Sequence, residues 1–413
     1  MSFCSARRGA ATAVVSGAGA LYDIAVSGMT GAGVVIASVP VGVAADTAGN
    51  LSEASTSVDN SVLFTTNDAP EITSLSADAG SGSPAAPGQT VTVAALFNDP
   101  NPNDTHTASI DWGDGAVTAG VVDQPNDSVV GTHSYTNGGV YTVIVTVADN
   151  GGLDDTDATV VLVTGVRLTP DGVLQIVGTA GKDDIRVLDR GSQIRVDANL
   201  GGGARRSLRF DENDVLSIEI HAGSGNDHVT IGNRVSAPAA VFGGDGNDNI
   251  RTGGGDDTID GGDGHDRISA GVGNDVIIAG AGDDRLSGGA GDDIILAGAG
   301  RDRVHGGVGN DMIAGGADND LLFGDRGDDI LIGGAGRDFL LGGRGNDLLI
   351  AGSTTNQDAL AALAAALANW SSGDLADTLL DLGPIIDDEE LDFLLGGPGD
   401  DELFGGVGDR IRS

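Results

Sequence analysis

A nine-residue repeat occupies residues 243–350 and constrains the fold of this chain more than any other feature. It occurs twelve times without an insertion and follows the pattern GGxGxDxUx, where U is a large aliphatic residue. The sixth position is aspartate in every copy and the eighth is aliphatic in every copy. Such a constant period predicts an architecture in which each copy stacks on its neighbours instead of folding alone.

The pattern indicates what each copy contributes to such a stack. Glycine at alternate positions permits the left-handed backbone angles of a tight turn, so GGxGxD predicts a turn and xUx a short strand. Two repeats then form one coil, and successive coils lie about 4.8 Å apart as parallel strands. Twelve repeats make six coils, or a rod of about 29 Å, with the aliphatic residues filling a narrow core.

The sixth-position aspartates fall into two stacked rows, because every second repeat lies on the same edge. The first row is Asp248, Asp266, Asp284, Asp302, Asp320 and Asp338, and the second is Asp257, Asp275, Asp293, Asp311, Asp329 and Asp347. Carboxylates about 5 Å apart repel by about 3 kcal/mol per pair at an effective dielectric constant of 20. A divalent cation between turns reverses this repulsion, and aspartate and carbonyl oxygens suit calcium better than magnesium, which retains its waters. The alternative is that these aspartates only close turns.

Isolated copies of the pattern occur outside the regular block. Asp227, Asp392 and Asp401 stand at the sixth position of such copies and are expected to bind metal as well, and Asp183 lies in a looser copy. The last nonapeptide has Arg410 at its sixth position and is expected not to bind. Within the block, Asp318 and Asp325 replace turn glycines, so a distorted turn is expected there.

The repeated GGxGxDxUx pattern closely resembles the RTX family, the hemolysin-type calcium-binding nonapeptide repeats of secreted bacterial proteins. This resemblance implies a right-handed parallel β-roll in which the twelve sixth-position aspartates are calcium ligands. A site between each repeat and the next but one would give about ten calcium ions. The family also implies an extracellular or cell-surface location, although no export signal is evident in this chain.

A second resemblance involves residues 69–164. The segments Ile110–Gly115 (IDWGDG), Gly139–Val143 (GVYTV) and Val145–Asp149 (VTVAD) resemble a polycystic-kidney-disease-type (PKD) domain. That family implies an Ig-like β-sandwich that serves as a spacer or as a module binding surface protein or carbohydrate. Asp111 and Asp114 could bind a metal, but closing the turn is the favoured role.

Together these features predict an all-β chain of Ig-like β-sandwich modules followed by the β-roll, with a short helical insert near the C-terminus. The expected parts are a partial Ig-like module (1–68), the PKD-type sandwich (69–164), an irregular β lead-in (165–242), the roll (243–350), a helical insert or cap (351–395) and terminal repeats (396–413). In the insert, Leu360, Leu363, Leu367 and Trp370 share one helical face. A cap over the exposed end of the solenoid is favoured over a partner-binding role.

Composition excludes several classes of function. The chain has 61 acidic and 21 basic residues and a net charge of −40, which opposes nucleic-acid binding. It contains no apolar run long enough to span a membrane. Neither an HExxH zinc motif nor a GxSxG nucleophile motif occurs, so an enzyme is not expected.

The sequence therefore predicts a secreted or cell-surface, non-enzymatic structural or adhesive protein that binds calcium and whose roll folds on calcium. The alternative is the non-catalytic C-terminal part of a secreted protease, lipase or glycan-active enzyme. This alternative is considered because the chain begins inside an apparent module.

Overall fold

The computed structural model is mostly β, as the sequence predicts. It describes residues 4–6, 12–18, 21–27, 33–37, 61–64, 67–78, 84–102, 104–354, 360–371, 382, 384–386, 391–406 and 409–412. Among these residues, no helix is long and apolar enough to cross a membrane.

The first strands form two small antiparallel groups. They are Cys4–Ala6 (β1), Thr12–Ala18 (β2), Leu21–Ser27 (β3), Gly33–Ala37 (β4) and Ser61–Phe64 (β5). β2 pairs with β3, and β4 lies between β1 and β5. The sequence of this N-terminal module predicts three strand-like runs, and these runs correspond to β3, β4 and β5.

The following strands form an antiparallel β-sandwich. They are Glu71–Asp78 (β6), Thr90–Asn98 (β7), His106–Asp111 (β8), Val117–Asp123 (β9), Ser128–Ser134 (β10), Gly139–Asp149 (β11) and Asp154–Val163 (β12), with a 3-10 turn at Gln124–Asn126. Their order is β12-β11-β8-β9-β10-β7-β6. Trp112 is fully buried in the core, where its indole N–H donates to Thr118 Oγ1 at 2.8 Å and the Tyr135 hydroxyl donates to its carbonyl oxygen at 3.0 Å.

The strands of residues 165–251 lead into the repeat region. They are Gly165–Leu168 (β13), Val173–Thr179 (β14), Asp184–Asp189 (β15), Gln193–Asn199 (β16), Arg206–Asp211 (β17), Ser217–Ser224 (β18), His228–Ile231 (β19), Ala239–Asp245 (β20) and Asn249–Arg251 (β21), with a 3-10 turn at Glu212–Asp214. This segment is more regular than expected. β14, β18 and β20 already pair in parallel, as do β15, β19 and β21, because longer turns can replace the glycine turn without changing the strand pairing.

The remaining strands are those of the repeat block and of the terminal repeats, which continue the same stack, and two short strands of the insert, which pair antiparallel with each other. They are Thr258–Asp263 (β22), Arg267–Val272 (β23), Val276–Ala281 (β24), Arg285–Ala290 (β25), Ile294–Ala299 (β26), Arg303–Val308 (β27), Met312–Ala317 (β28), Leu321–Arg326 (β29), Ile330–Ala335 (β30), Phe339–Arg344 (β31), Leu348–Ile350 (β32), Ser353–Thr354 (β33), Ile385–Ile386 (β34), Phe393–Leu395 (β35), Glu402–Phe404 (β36) and Arg410–Arg412 (β37). The helix α1 spans Leu360–Ser371.

Two sheets enclose the core of this parallel β-solenoid. Sheet I has the order β13-β14-β18-β20-β22-β24-β26-β28-β30-β32-β36, and sheet II has the order β17-β16-β15-β19-β21-β23-β25-β27-β29-β31-β35-β37. Within the repeat block, each residue pairs with the residue 18 positions further on, as Ile259 does with Ile277. All twelve eighth-position aliphatic residues are buried in one continuous cluster, which confirms their predicted role.

The helical insert lies on a face of the solenoid and not over its end. Leu363 and Leu367 of α1 are buried against Met312 and Ile330 on the outer face of sheet I. The stack resumes after the insert, because Phe339 pairs with Phe393. The insert is therefore an expansion of one coil that covers an apolar sheet face. The side chains of Leu360 and Trp370, predicted to share its apolar face, are outside the described part of the chain.

The sandwich covers the N-terminal end of the solenoid. The Val140 N–H donates to Gln175 Oε1 at 3.2 Å, and the Thr164 hydroxyl donates to the Gly178 carbonyl at 2.9 Å. The Arg167 guanidinium lies 4.6 Å from the centre of the Tyr141 ring. Solenoids need such protection of their terminal coils, and here the neighbouring domain provides it.

Candidate calcium-binding site

The sixth-position aspartates form two stacked ladders, as the spacing predicts. The backbone N–H of each one donates to the Oδ1 atom of the aspartate one coil further on, for example from Asp248 to Asp266 at 2.8 Å and from Asp275 to Asp293 at 2.9 Å. All twelve aspartates are at most 2% exposed. The same carboxylates therefore hold adjacent coils in register and line the turns on both edges of the roll.

Each ladder extends beyond the regular block. Asp248 Oδ1 accepts from Asp227 N at 2.7 Å, and Asp227 in turn accepts from Asp183 N at 2.7 Å. After the insert, Asp392 accepts from Asp338 N and Asp401 accepts from Asp347 N. The ladder that runs through Asp248 and Asp338 is called ladder I, and the one that runs from Asp257 through Asp347 to Asp401 is called ladder II. The structure thus places all fifteen sequence-predicted aspartates in these two ladders.

The last nonapeptide differs from the expectation. Asp409 Oδ1 accepts from Asp392 N at 3.0 Å, so Asp409 occupies the position that counting by nines assigns to Arg410. The separation is 17 residues and not 18, which means that this coil is one residue shorter. A search that allowed one deletion would have found Asp409 as a ladder residue. Its Oδ2 atom accepts from the Gly406 N–H, and the expectation that the last nonapeptide does not bind metal stays a prediction.

The second carboxylate oxygen of the ladder residues is the feature that points to a metal. This atom, Oδ2, is buried and has no hydrogen-bond partner within the described structure. The residues concerned are Asp227, Asp248, Asp257, Asp266, Asp275, Asp284, Asp293, Asp302, Asp311, Asp320, Asp329, Asp347 and Asp401. A buried, unpaired carboxylate oxygen is costly, and a cation is a natural partner for it.

The turn glycines leave room beside these oxygens. A Cβ atom on Gly261 would lie 2.6 Å from Asp266 Oδ2 and 2.6 Å from the Ala279 carbonyl oxygen, so no larger residue fits. Carboxylate and carbonyl oxygens thus come together at the same glycine-lined place. Calcium takes six to eight oxygen ligands of this kind, and the residues present fit it.

The electrostatics of the ladders agree with this fit. Burial is the largest influence on these carboxyl groups; the neighbouring aspartates add to it, and the backbone hydrogen bonds oppose it. The net effect of these influences is to raise the pKa of Asp248 and Asp293 to about 7, and that of Asp311 to about 9. The charged form of these three carboxyl groups is therefore unfavourable until a positive charge is close to them.

The turn of the sandwich shows no such arrangement. Asp111 Oδ1 accepts from the Gly113 N–H at 3.0 Å, and Asp114 Oδ1 accepts from the Ala116 N–H at 3.1 Å. Asp114 Oδ2 also lies 2.8 Å from Nε2 of His133. These contacts support the favoured interpretation that both aspartates stabilise the turn.

A different group of carboxylates meets elsewhere in the sandwich. Asp99, Asp104 and Asp149 each place one oxygen within 4.8 Å of the other two. Asp99 pairs with His106 at 2.9 Å, and Asp149 accepts from the Asn67 side chain at 2.7 Å. These residues come from separate segments, so no short motif could have indicated them.

Comparison with known proteins agrees with both resemblances. A family model for the PKD domain matches residues 67–163, and the model for the RTX calcium-binding nonapeptide repeat matches residues 242–277, 278–313, 314–349 and 386–411. The chain therefore carries a PKD domain followed by RTX calcium-binding repeats that form a β-solenoid. Both families are typically non-catalytic structural domains.

Two solved structures are similar to the sandwich alone. The PKD1 domain of Vibrio anguillarum Epp is 22% identical, with 24% of this chain and 99% of that chain covered and a TM-score of 0.19. The PKD domain of an M14-like peptidase from Thermoplasmatales archaeon SCGC AB-540-F20 is 23% identical, with 24% and 98% covered and a TM-score of 0.19. Comparison with curated proteins gave no match.

Proposed function

We propose that this chain is a secreted or cell-surface, non-enzymatic protein with a structural or adhesive role, and that its β-roll folds when calcium binds. The observation that carries this proposal is the repeated occurrence, in both ladders, of buried Oδ2 atoms without hydrogen-bond partners. The PKD-type sandwich would act as a spacer or as a module that binds surface protein or carbohydrate.

The energetics of one repeat support a dependence on calcium. Burying one aliphatic side chain contributes about 2 kcal/mol, whereas ordering nine backbone residues costs several times as much. The glycine-rich turns add to that entropy, and the buried carboxylates add repulsion. Backbone hydrogen bonds between coils offset part of this unfavourable free energy, and metal binding would supply the remaining stabilisation.

The ladder aspartates and the turn carbonyls would hold the ions. Bound calcium would neutralise the carboxylates and join consecutive turns. Twelve repeats would bind about ten ions. Extracellular calcium modules have dissociation constants of about 0.1–1 mM, so a roll of this type would be unfolded in a calcium-poor cytosol and folded outside the cell.

Circular dichroism of the full chain tests the proposal. In chelator, the spectrum should show the β signal of the sandwich with a large disordered contribution, and millimolar calcium should convert most of that contribution to β structure. Magnesium at the same concentration should have a much smaller effect, because it retains its waters. Fluorescence of the buried Trp112 in a Trp370→Phe background provides a control, since the sandwich should stay folded throughout. A full β spectrum in chelator, or an equal response to magnesium, would contradict the proposal.

A further inference from the structure

The two sheets of the roll have opposite outer faces. Among the described strands of the repeat block, those of sheet I contain no arginine or lysine, and their apolar outer face is covered by α1. The strands of sheet II contain all of the strand arginines of this block. They are Arg251, Arg267, Arg285, Arg303, Arg326 and Arg344. In a chain with a net charge of −40, this separation makes one face of the roll locally basic.

Three of these arginines are stacked directly on one another. Arg267 pairs in register with Arg285, and Arg285 pairs with Arg303, so they are one coil apart, about 4.8 Å. All three are exposed, and none forms an ion pair with a residue in the described parts of the chain. By contrast, Arg301 in the adjacent turn pairs with Asp283 at 2.7 Å. Like charges directly opposite each other destabilise a sheet, so folding does not explain this arginine ladder.

The arginine ladder continues into an apolar and aromatic surface. Leu321 follows Arg303 in register and Phe339 follows Leu321. The Arg303 guanidinium lies 4.9 Å from the centre of the Phe323 ring. Leu321 is 41% exposed. On sheet I, by contrast, apolar side chains of the outer face are covered by α1. A cleft of about 690 Å³ lies along this row. It is lined by Arg285, Arg303 and Leu321, and also by His265, Asp283, Asp284, Arg301, Asp302 and Asn319.

We propose that the outer face of sheet II, from Arg267 to Phe339, binds a uronate-bearing polysaccharide. The planar guanidinium groups suit bidentate contacts to carboxylates, and the half-buried rings of Phe323 and Phe339 together with the exposed Leu321 suit the apolar faces of sugar rings. The low charge density of this class of polymer favours it over a nucleic acid. A duplex carries one phosphate charge per about 1.7 Å and would be repelled by the acidic chain, whereas a uronate polymer carries no more than one carboxylate per sugar and would be repelled less.

Binding of hyaluronan to the full chain in millimolar calcium tests this inference. The wild type should bind hyaluronan, and added sodium chloride should weaken the binding. Neutral dextran, a DNA duplex and anionic phospholipid vesicles should bind at least tenfold more weakly. Equal or tighter binding of any of these three, or no binding of hyaluronan by the folded chain, would overturn the inference.

The variant with Arg267→Gln, Arg285→Gln and Arg303→Gln should lose at least tenfold in affinity. Its matched control changes three exposed arginines outside the ladder, Arg190, Arg209 and Arg234, to glutamine and should stay within twofold of the wild type. Unchanged binding by the ladder variant would refute the assignment. Circular dichroism of every sample reports folding separately, so a failure of calcium-dependent folding is distinguishable from a failure of glycan binding. If the triple variant folds poorly, Arg285→Gln alone should weaken binding and Arg285→Lys should restore part of it.

Discussion

At the scale of single residues, the repeat tolerates an aspartate in place of a turn glycine. Asp318 and Asp325 have φ angles of 76° and 75°, whereas the glycines at the same positions of neighbouring repeats have larger values, such as 126° at Gly300 and 127° at Gly307. The turn backbone is therefore altered locally, as expected from the sequence, while the pairing of Asp325 with Gly307 and Gly343 is retained. Aspartate adopts this left-handed region more readily than most residues, but at some cost in backbone strain.

The variant Asp318→Gly should therefore stabilise the calcium-bound roll. Relief of the left-handed strain at this exposed position should raise the free energy of unfolding by about 1 kcal/mol. Urea unfolding in millimolar calcium measures the change. Asp318→Ala is the matched control and should not stabilise, because alanine tolerates this conformation poorly. A lower midpoint for Asp318→Gly would contradict the strain argument.

In the sandwich, a pH-dependent contribution should come from Asp114. Burial acts in the opposite direction, but hydrogen bonds from the His133 ring and the Ala116 N–H hold the pKa of Asp114 below its ordinary value of 3.8. A carboxylate with a lowered folded-state pKa stabilises the fold above its unfolded-state pKa, and this contribution is lost as the pH falls through the folded-state value.

We expect Asp114→Asn to lower the stability of the sandwich by about 1 kcal/mol at pH 6, through loss of charged hydrogen bonds. The difference from the wild type should shrink as the pH falls below about 3.8, because the wild-type group then becomes neutral as well. Thermal unfolding followed by Trp112 fluorescence in a Trp370→Phe background measures it. A difference that is constant from pH 6 to pH 3 would show that the charge of Asp114 has no role.

At the scale of structural elements, the ladders are cooperative because neighbouring coils share the same carboxylates. Asp293 has ladder neighbours on both sides, Asp275 and Asp311. Asp257 is the first aspartate of ladder II, since its Oδ1 accepts from the Ala239 N–H and its own N–H donates to Asp275. Asp248 is an internal member of ladder I, because Asp227 precedes it.

Asp293→Asn should reduce the calcium-dependent stability more than Asp257→Asn does. The first change alters a ligand shared by two sites and should cost several kcal/mol, whereas the second affects one terminal site and should cost about half as much. Unfolding midpoints over a series of calcium concentrations measure both. In chelator the difference between the two variants should disappear, because no metal is then shared. Equal losses in calcium would contradict sharing of ligands between sites.

At the scale of the whole molecule, the sandwich and the insert cover different surfaces of the solenoid. The sandwich covers the first coils, and α1 covers the outer face of sheet I. Sheet II keeps an exposed face that is basic at Arg267–Arg303 and apolar beyond it. The ladders resume after the insert, so the proposed metal sites would form two series along the solenoid.

Calcium stoichiometry should reflect these two series. We expect about ten ions from the twelve repeats and additional ions at the outlying members Asp227, Asp392 and Asp401. Binding should be cooperative, because each ion fixes a coil against which the next one stacks. Titration calorimetry of the full chain, together with metal analysis after equilibrium dialysis, measures the number. Two ions or fewer would contradict the ladder model.

Much of this protein follows from its sequence, because a strict nine-residue period acts through spacing alone. Glycine at fixed positions predicts the turns, the aliphatic eighth position predicts the core, and alternation of repeats predicts which aspartates stack. The structure confirms the core with Ile259 and Ile277 and the stacking with Asp248 and Asp266. The resemblance of the motif IDWGDG to a PKD domain likewise implied a β-sandwich, and the structure places Trp112 in the core of that sandwich.

Tertiary structure alone decided the features that depend on the path of the backbone between distant residues. Asp409 joins a ladder because its coil is one residue shorter, and a fixed count cannot detect that change. The insert lies on sheet I because its Leu363 finds an apolar face there. Spacing determines contacts that repeat along the chain, whereas contacts that occur once depend on where folding brings each segment.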